Sequence, residues 1–298
     1  MQTRTQTAVA ARFAQLLDRI MPDSTEERIF SDHENSIQTR LKSVFRTNRV
    51  ERIGSYTRGS AIKGVSDVDL LLVLTRDEVR WGDKYKSSDT VLKNVRDQLQ
   101  DRYTKTEVGR DGQAVVISFG DGKHPVDVVP GFYWEAGPNG YPVFCIPDGS
   151  GGWMKTSPQL HNRYIAAADG RSAGKLKSVA RLLKFWASRR SNTDSLSGFH
   201  VEMLLAGTDL CARPQAHAIS FTEVIKELAH RNCRALQDPL GVAGYIKAVG
   251  TDSKQSALNT AVQSVISHCR SALYAEDHFD APEAIRQWKI AFNADFPS

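Results

Sequence analysis

The stretch that most restricts this chain runs Asp67-Val68-Asp69-Leu70-Leu71-Leu72-Val73-Leu74. An unbroken apolar run after Asp69 fits a strand buried on both faces. Side chains two apart on a strand point to the same side, so Asp67 and Asp69 stand together where the run begins. Two carboxylates so placed repel unless a cation lies between them. An oxygen-only donor set selects a hard ion, Mg²⁺ first. Upstream, Gly54-Ser55-Tyr56-Thr57-Arg58-Gly59-Ser60 forms a Gly-Ser turn whose backbone N–H groups suit a phosphate. A phosphate-holding turn beside an acid pair points to phosphoryl-transfer chemistry on a sheet.

A two-metal site of that kind holds ions about 3.5–4 Å apart and rarely makes do with two carboxylates. The third is Asp127, in His124-Pro125-Val126-Asp127-Val128-Val129-Pro130. An ionised carboxylate among valines on a core strand is costly to bury without a partner, and a shared metal supplies one. The bland alternative, an edge-strand or turn Asp facing water, loses weight once Asp67 and Asp69 are placed.

Hydrophobic periodicity organises the rest. Residues 7–21 read as an amphipathic helix with Val9, Phe13, Leu16, Leu17 and Ile20 inward, and 26–46 as a second helix. Residues 76–88 read as a loop and 90–103 as a helix. Segments 114–119 and 125–129 are β-rich and joined by Gly120-Asp121-Gly122-Lys123, a hairpin composition. The Gly- and Pro-rich stretch 138–158, with a strand at 141–146, reads as a crossing between lobes. Beyond it the pattern is helical: 160–168, 175–190, 198–211, 221–234, 254–274 and 281–294. The expected architecture is α+β and bilobal, with residues 1–150 as an N-terminal helix plus a catalytic core on a small mixed sheet. Residues 151–298 form a C-terminal helical lobe closing over the nucleotide site.

At 298 residues the chain is long enough for a sizeable core. The balance of 39 Lys+Arg against 34 Asp+Glu, net +5, fits polyphosphate ligands and offers no strong nucleic-acid-binding signal. Cys145, Cys211, Cys233 and Cys269 lack zinc spacing and read as small buried hydrophobes. No signal peptide is visible, and no run approaches the roughly 18 apolar residues a membrane span needs. A cytoplasmic protein is expected, with no membrane partner.

The order Gly54-Ser55, Asp67-Val68-Asp69, then Asp127 in Val-Asp-Val-Val-Pro resembles the polymerase-β-like nucleotidyltransferases. The longer pattern Gly-Ser-Tyr-x-Arg-Gly-Ser-Ala-Ile-Lys-Gly-x-Ser-Asp-Val-Asp is similar to the bacterial cGAS/DncV-like nucleotidyltransferases. These are relatives of cyclic GMP-AMP synthase and 2′-5′ oligoadenylate synthetase. Further likenesses are Val179-Ala180-Arg181-Leu182-Leu183-Lys184-Phe185-Trp186, Asp238-Pro239, and the tail from Trp288 to Pro297.

The resemblance implies a polymerase-β-like fold and two Mg²⁺ ions on Asp67, Asp69 and Asp127, with Mn²⁺ as an alternative ion. Gly54, Ser55 and Lys184 would hold the triphosphate. The family often places Ser-Tyr or Ser-Phe after the lysine helix, whereas here the run is Leu196-Ser197-Gly198-Phe199-His200. Ser197 stands in for the phosphate serine, and Phe199 is the base-stacking candidate. Arg58, Lys63 and Tyr245 are weaker nucleotide-binding candidates. No zinc-binding insertion like that of the animal DNA sensor is present, which argues against activation by double-stranded DNA.

The implied activity joins ribonucleoside triphosphates, ATP and GTP foremost, into a cyclic di- or trinucleotide with release of pyrophosphate. Its biological setting would be antiphage (CBASS) signalling through a separate effector protein, with a regulatory protein partner as an option. The rivals are a linear 2′-5′ oligoadenylate-type synthase, an RNA-terminal or antibiotic-modifying transferase, and a non-catalytic nucleotide-binding relative.

Overall fold

A computed structural model describes residues 4–190, 196–213 and 215–298. In chain order its elements begin with α1 (Arg4–Ile20), α2 (Ser24–Val44), β1 (Thr47–Ile53), α3 (Gly54–Arg58) and β2 (Val68–Leu74). There follow β3 (Arg80–Trp81), β4 (Lys84–Tyr85), α4 (Ser88–Arg102), β5 (Val108–Asp111), β6 (Ala114–Ser118) and α5 (Phe119–Gly122). Then come β7 (His124–Ala136), β8 (Pro142–Pro147), β9 (Trp153–Thr156), α6 (Pro158–Arg171), α7 (Lys175–Ser188) and α8 (Gly198–Thr208). The chain closes with α9 (His217–His230), β10 (Leu236–Gln237), β11 (Tyr245–Ile246), α10 (Asp252–Asp277) and α11 (Ala281–Ala291).

Two compact units emerge. One comprises Pro22–Arg163 with Leu240–Gly244, and is built on the sheet. Its strands run in the order β1-β2-β7-β6-β5, with β8 and β9 continuing from β7. Only β2 and β7 pair in parallel; the other pairings in this sheet are antiparallel. Strand β2 is central, which explains its continuous apolar run. Its alternate residues serve two layers. Leu70, Leu72 and Leu74 join Phe30, Ile37 and Leu41 of α2 and Val91, Leu92, Val95 and Leu99 of α4 in one core. Leu71 and Val73 join Val129, Ala114, Phe144 and Ile146 in the other. Each fully buried leucine contributes about 2 kcal/mol by leaving water.

The second unit contains the segment ending at Met21, Tyr164–Pro239 and Tyr245–Ser298. Its middle helix is α8, where every residue from His200 to Ala206 is buried. A helix buried on all sides and apolar apart from His200 and Glu202 belongs inside a bundle. Phe13 of α1 meets Trp288 and Phe296 edge-on at centroid distances of 5.0 and 4.9 Å. Phe221 of α9 lies 4.8 Å from Phe292.

The division expected at 150/151 differs from this in two places. Helix α1 packs with the helical unit, because its stripe of Val9, Phe13, Leu16, Leu17 and Ile20 is buried where α1 meets α7, α9, α10 and α11. The boundary falls at Arg163/Tyr164, inside α6, and not in the 138–158 stretch. That stretch is part of the sheet, since β8 pairs with β7 and β9 with β8. Strands β1 and β5 went unread, and the 76–88 loop carries the short β3–β4 ladder. The 114–129 hairpin is present as β6–β7, closed by the helical turn α5. Among the described residues, no helix is long and apolar enough to cross a membrane. All four cysteines are buried and free of disulfides.

Candidate active site

The sheet unit gathers five of the expected residues. Asp69 of β2 pairs directly with Asp127 of β7 in the parallel register. Asp67 lies two residues before Asp69, just ahead of the strand. Alternation therefore sets Asp69 and Asp127 on the Leu71/Val129 face of the sheet, away from α2 and α4. The antiparallel partner of Asp69 on the other side is Ile53, the last residue of β1. The chain then turns sharply into the short helix α3.

Gly54 makes this turn, and two constraints fix its identity. Its φ is +73°, a left-handed value that side chains disfavour. A Cβ built there would lie 1.8 Å from Oδ2 of Asp69. The backbone thus presses against the carboxylate, and only glycine fits. Ser55 follows as the second residue of α3. Ile53, in the N-cap position, offers no side-chain hydrogen bond to the first turn, so first-turn N–H groups lack that usual acceptor. Gly59 ends α3 in the left-handed conformation. The loop onward to Asp67 is pinned: Gly64 N–H donates to Oε1 of Glu26 at 2.8 Å, and Ile62 N–H to Oγ of Ser66 at 2.9 Å. Lys63, weighed as a phosphate ligand, instead donates to Oδ2 of Asp23 at 2.6 Å.

The electrostatics are those of crowded acids. Burial pushes the Asp127 carboxyl up to about 8, and the neighbouring charges of Asp69, Asp67 and Asp111 add to it. Asp67 rises to about 6, first through burial and then through Asp111. Oδ1 of Asp127 is buried and accepts no hydrogen bond. Such an orphan acceptor is costly and fits a cation ligand. Among the described residues, no group of three or more His, Cys, Asp or Glu side chains is arranged to hold a metal ion. Asp69 and Asp127 share a face, and Asp67 and Asp111 add to the field at Asp127.

Asp111 is the residue sequence reasoning missed. It ends β5, and register carries the Asp127 face through Val116 of β6 to Gly109 of β5. Asp111, two residues on, returns to the same face. The available signal was the turn Asp111-Gly112 ahead of a β-rich run, once β5 is recognised as a strand.

Arg58 ends α3 in the sheet unit, and Lys184, Ser197, Phe199 and Tyr245 belong to the helical unit. Lys184, on α7, donates to Oε1 of Glu202 on α8 at 2.5 Å. Ser197 caps α8, its hydroxyl oxygen accepting from His200 N–H at 3.2 Å. Its own N–H donates to Ala248 O at 2.7 Å. Phe199, in the first turn of α8, is partly buried. Tyr245, on β11, is well exposed.

Residues 8–168, just over half of the chain, match the Second Messenger Oligonucleotide or Dinucleotide Synthetase domain. The chain belongs to this family. It is therefore a nucleotidyltransferase of the cGAS/DncV-like group. A probable cyclic nucleotide synthase of Bacillus cereus (strain VD146) is 24% identical over 274 residues, covering 82% of this chain and 81% of that protein. The cyclic AMP-AMP-AMP synthase of Escherichia coli (strain MS 115-1) is 25% identical over 244 residues, covering 74% and 72%. Among solved structures, E. coli MS115-1 CdnC with ATP superposes with a TM-score of 0.73 at 19% identity, covering 100% of this chain and 99% of that one. The same protein has been solved in a complex with HORMA-deltaN, again with a TM-score of 0.73 and 19% identity, covering 98% of each chain. These likenesses bear out the mixed α/β, polymerase-β-like fold.

Proposed function

We propose that this protein is a divalent-metal-dependent synthase of a cyclic di- or trinucleotide containing purines, an isomer of cyclic GMP-AMP being one candidate. The supporting observation is the register pair Asp69–Asp127, with the unsatisfied Oδ1 of Asp127 and Gly54 pressed on Asp69. Asp67, Asp69 and Asp127 are the residues that would hold two Mg²⁺ ions. Bound there, Mg²⁺ supplies charge neutralisation for the triphosphate and acidifies the acceptor ribose hydroxyl. Ser55 and the first-turn N–H groups of α3 bind the donor phosphates. Asp127 is suited to take the proton of the attacking hydroxyl. Lys184 contributes its charge to the leaving pyrophosphate, Ser197 donates its hydroxyl proton to phosphate, and Phe199 stacks on a base.

The names of the two curated relatives favour a ring over a linear 2′-5′ oligomer. The E. coli relative's all-adenine product and the ATP in the CdnC structure favour purine substrates here. The CdnC complex with HORMA-deltaN makes a regulatory protein partner a reasonable expectation. A second messenger acting on a separate effector in antiphage defence follows from the same reading. The mild net charge of +5 weighs against an RNA-tailing enzyme, and the presence of all three aspartates weighs against a non-catalytic relative.

The test is product analysis. Protein, Mg²⁺ and all four ribonucleoside triphosphates should yield pyrophosphate and a species that resists phosphatase and has the mass of a closed ring. A phosphatase-sensitive 5′-triphosphate oligomer would replace this reading with the linear synthase.

A further inference from the structure

Inside the helical unit one carboxylate stands out. Glu202 occupies the middle of α8, with a fully buried side chain, among Val201, Met203, Leu204 and Leu205. An ionised carboxylate in such surroundings demands a charged partner. Oε1 of Glu202 accepts from Nζ of Lys184 at 2.5 Å, and the lysine side chain is itself only 9% exposed. One turn earlier on α8, a Cβ built on Gly198 would lie 2.5 Å from Cε and 2.9 Å from Nζ of Lys184. The lysine tip therefore passes directly over the glycine.

We propose that Gly198 and Glu202 are positioning residues for Lys184: the glycine clears its path along the start of α8, and the buried carboxylate fixes where its ammonium stands and keeps it charged. The inference rests on the reading that Lys184 serves the triphosphate, and deepens it. It also gives a physical reason for glycine at position 198. A side chain at position 198 and the observed course of Lys184 exclude each other. The φ of Gly198 is not in the left-handed region, so backbone conformation does not call for glycine here. Alanine in a helix's first turn is ordinarily well tolerated. The three atoms nearest a Cβ at this position all belong to Lys184.

That separation makes the proposal testable. A methyl at position 198 meets the far end of a flexible side chain, so Gly198→Ala should displace the lysine tip and leave the fold intact. The probes are a non-hydrolysable ATP analogue and AMP, titrated by calorimetry into the parent and into Gly198→Ala, Glu202→Gln and Lys184→Met, with urea melts of each. In Gly198→Ala, affinity for the triphosphate should fall roughly tenfold, the size of one charge-assisted hydrogen bond. AMP affinity and the urea midpoint should stay put. Glu202→Gln should weaken the triphosphate selectively in the same way. Adding Gly198→Ala to Lys184→Met should change nothing further, because the two act through one group.

Full triphosphate affinity in both Gly198→Ala and Glu202→Gln, beside a loss in Lys184→Met, overturns the positioning role and leaves the phosphate role of Lys184 standing. Full affinity in Lys184→Met overturns both.

Discussion

Replacing Asp127 by Asn should make the metal-free protein more stable at neutral pH. In the fold this carboxyl is pushed up to about 8, against an ordinary value of 3.8. The folded state holds the proton that the unfolded state gives up, so the parent loses stability as pH rises from near 4 and levels off above about 8. Each pH unit between the unfolded value and pH 7 is worth about 1.4 kcal/mol. The parent therefore forfeits on the order of 4 kcal/mol at pH 7 relative to pH 4 through this one group. Asn is close in shape to the protonated acid, carries no titrating proton and escapes the loss. Urea unfolding in EDTA at pH 5, 7 and 9 measures it. The variant should gain on the parent from pH 5 to about 8 and hold that lead at pH 9. Added Mg²⁺ should then narrow or reverse the gap, because it binds the folded parent and stabilises it by about 2.7 kcal/mol at a hundredfold excess over Kd. Parallel pH profiles for the two proteins would refute the claim that Asp127 is buried among like charges.

Three further outcomes follow from packing and charge. Gly54→Ala should abolish most nucleotide turnover and cost about 1–3 kcal/mol through left-handed backbone strain, with further disruption from contact with Asp69; turnover and urea melts read the two effects separately. Phe13→Ala should cost about 3–5 kcal/mol by emptying a fully buried site among Trp288, Phe292 and Phe296, and a loss under 1 kcal/mol would contradict the placement of α1. Asp111→Asn removes a like charge that raises Asp67 and Asp127. It should lower both carboxyl titrations in metal-free protein, seen by NMR of the side-chain carboxyls, and unchanged titrations would remove Asp111 from the site.

The candidate site was legible where sequence distance did not matter. Asp69 lies on β2 and Asp67 just ahead of it, a spacing that follows from the two-residue period of a strand. Asp127 could be read because a carboxylate between valines is an energetic anomaly wherever its strand lies. That Asp127 belongs beside the pair came from the need for a third carboxylate, whereas its register opposite Asp69 was not readable, since register across a parallel pair is set by tertiary packing. The requirement at Gly54 was half visible: the turn called for glycine, but the approach of Asp69 was not predictable from spacing. Glu202 was overlooked because a single acid in an apolar helix looks like a solvated position until its partner on α7 is known. Helix α1 was read correctly as an element and assigned to the other unit, for an amphipathic stripe says that a partner exists and not which one. Strand β1, with Arg49, Glu51 and Arg52 interrupting its apolar residues, carries too weak a pattern to be distinguished from the end of α2.

The most direct test of the central claim is pyrophosphate release from ribonucleoside triphosphates by the parent and by Asp67→Asn/Asp69→Asn, at equal concentration with Mg²⁺ present. The account predicts turnover by the parent, none by the double variant, and a variant that is folded and at least as stable in EDTA. Undiminished release by the double variant would show that the acid pair at the head of β2 does not carry the chemistry.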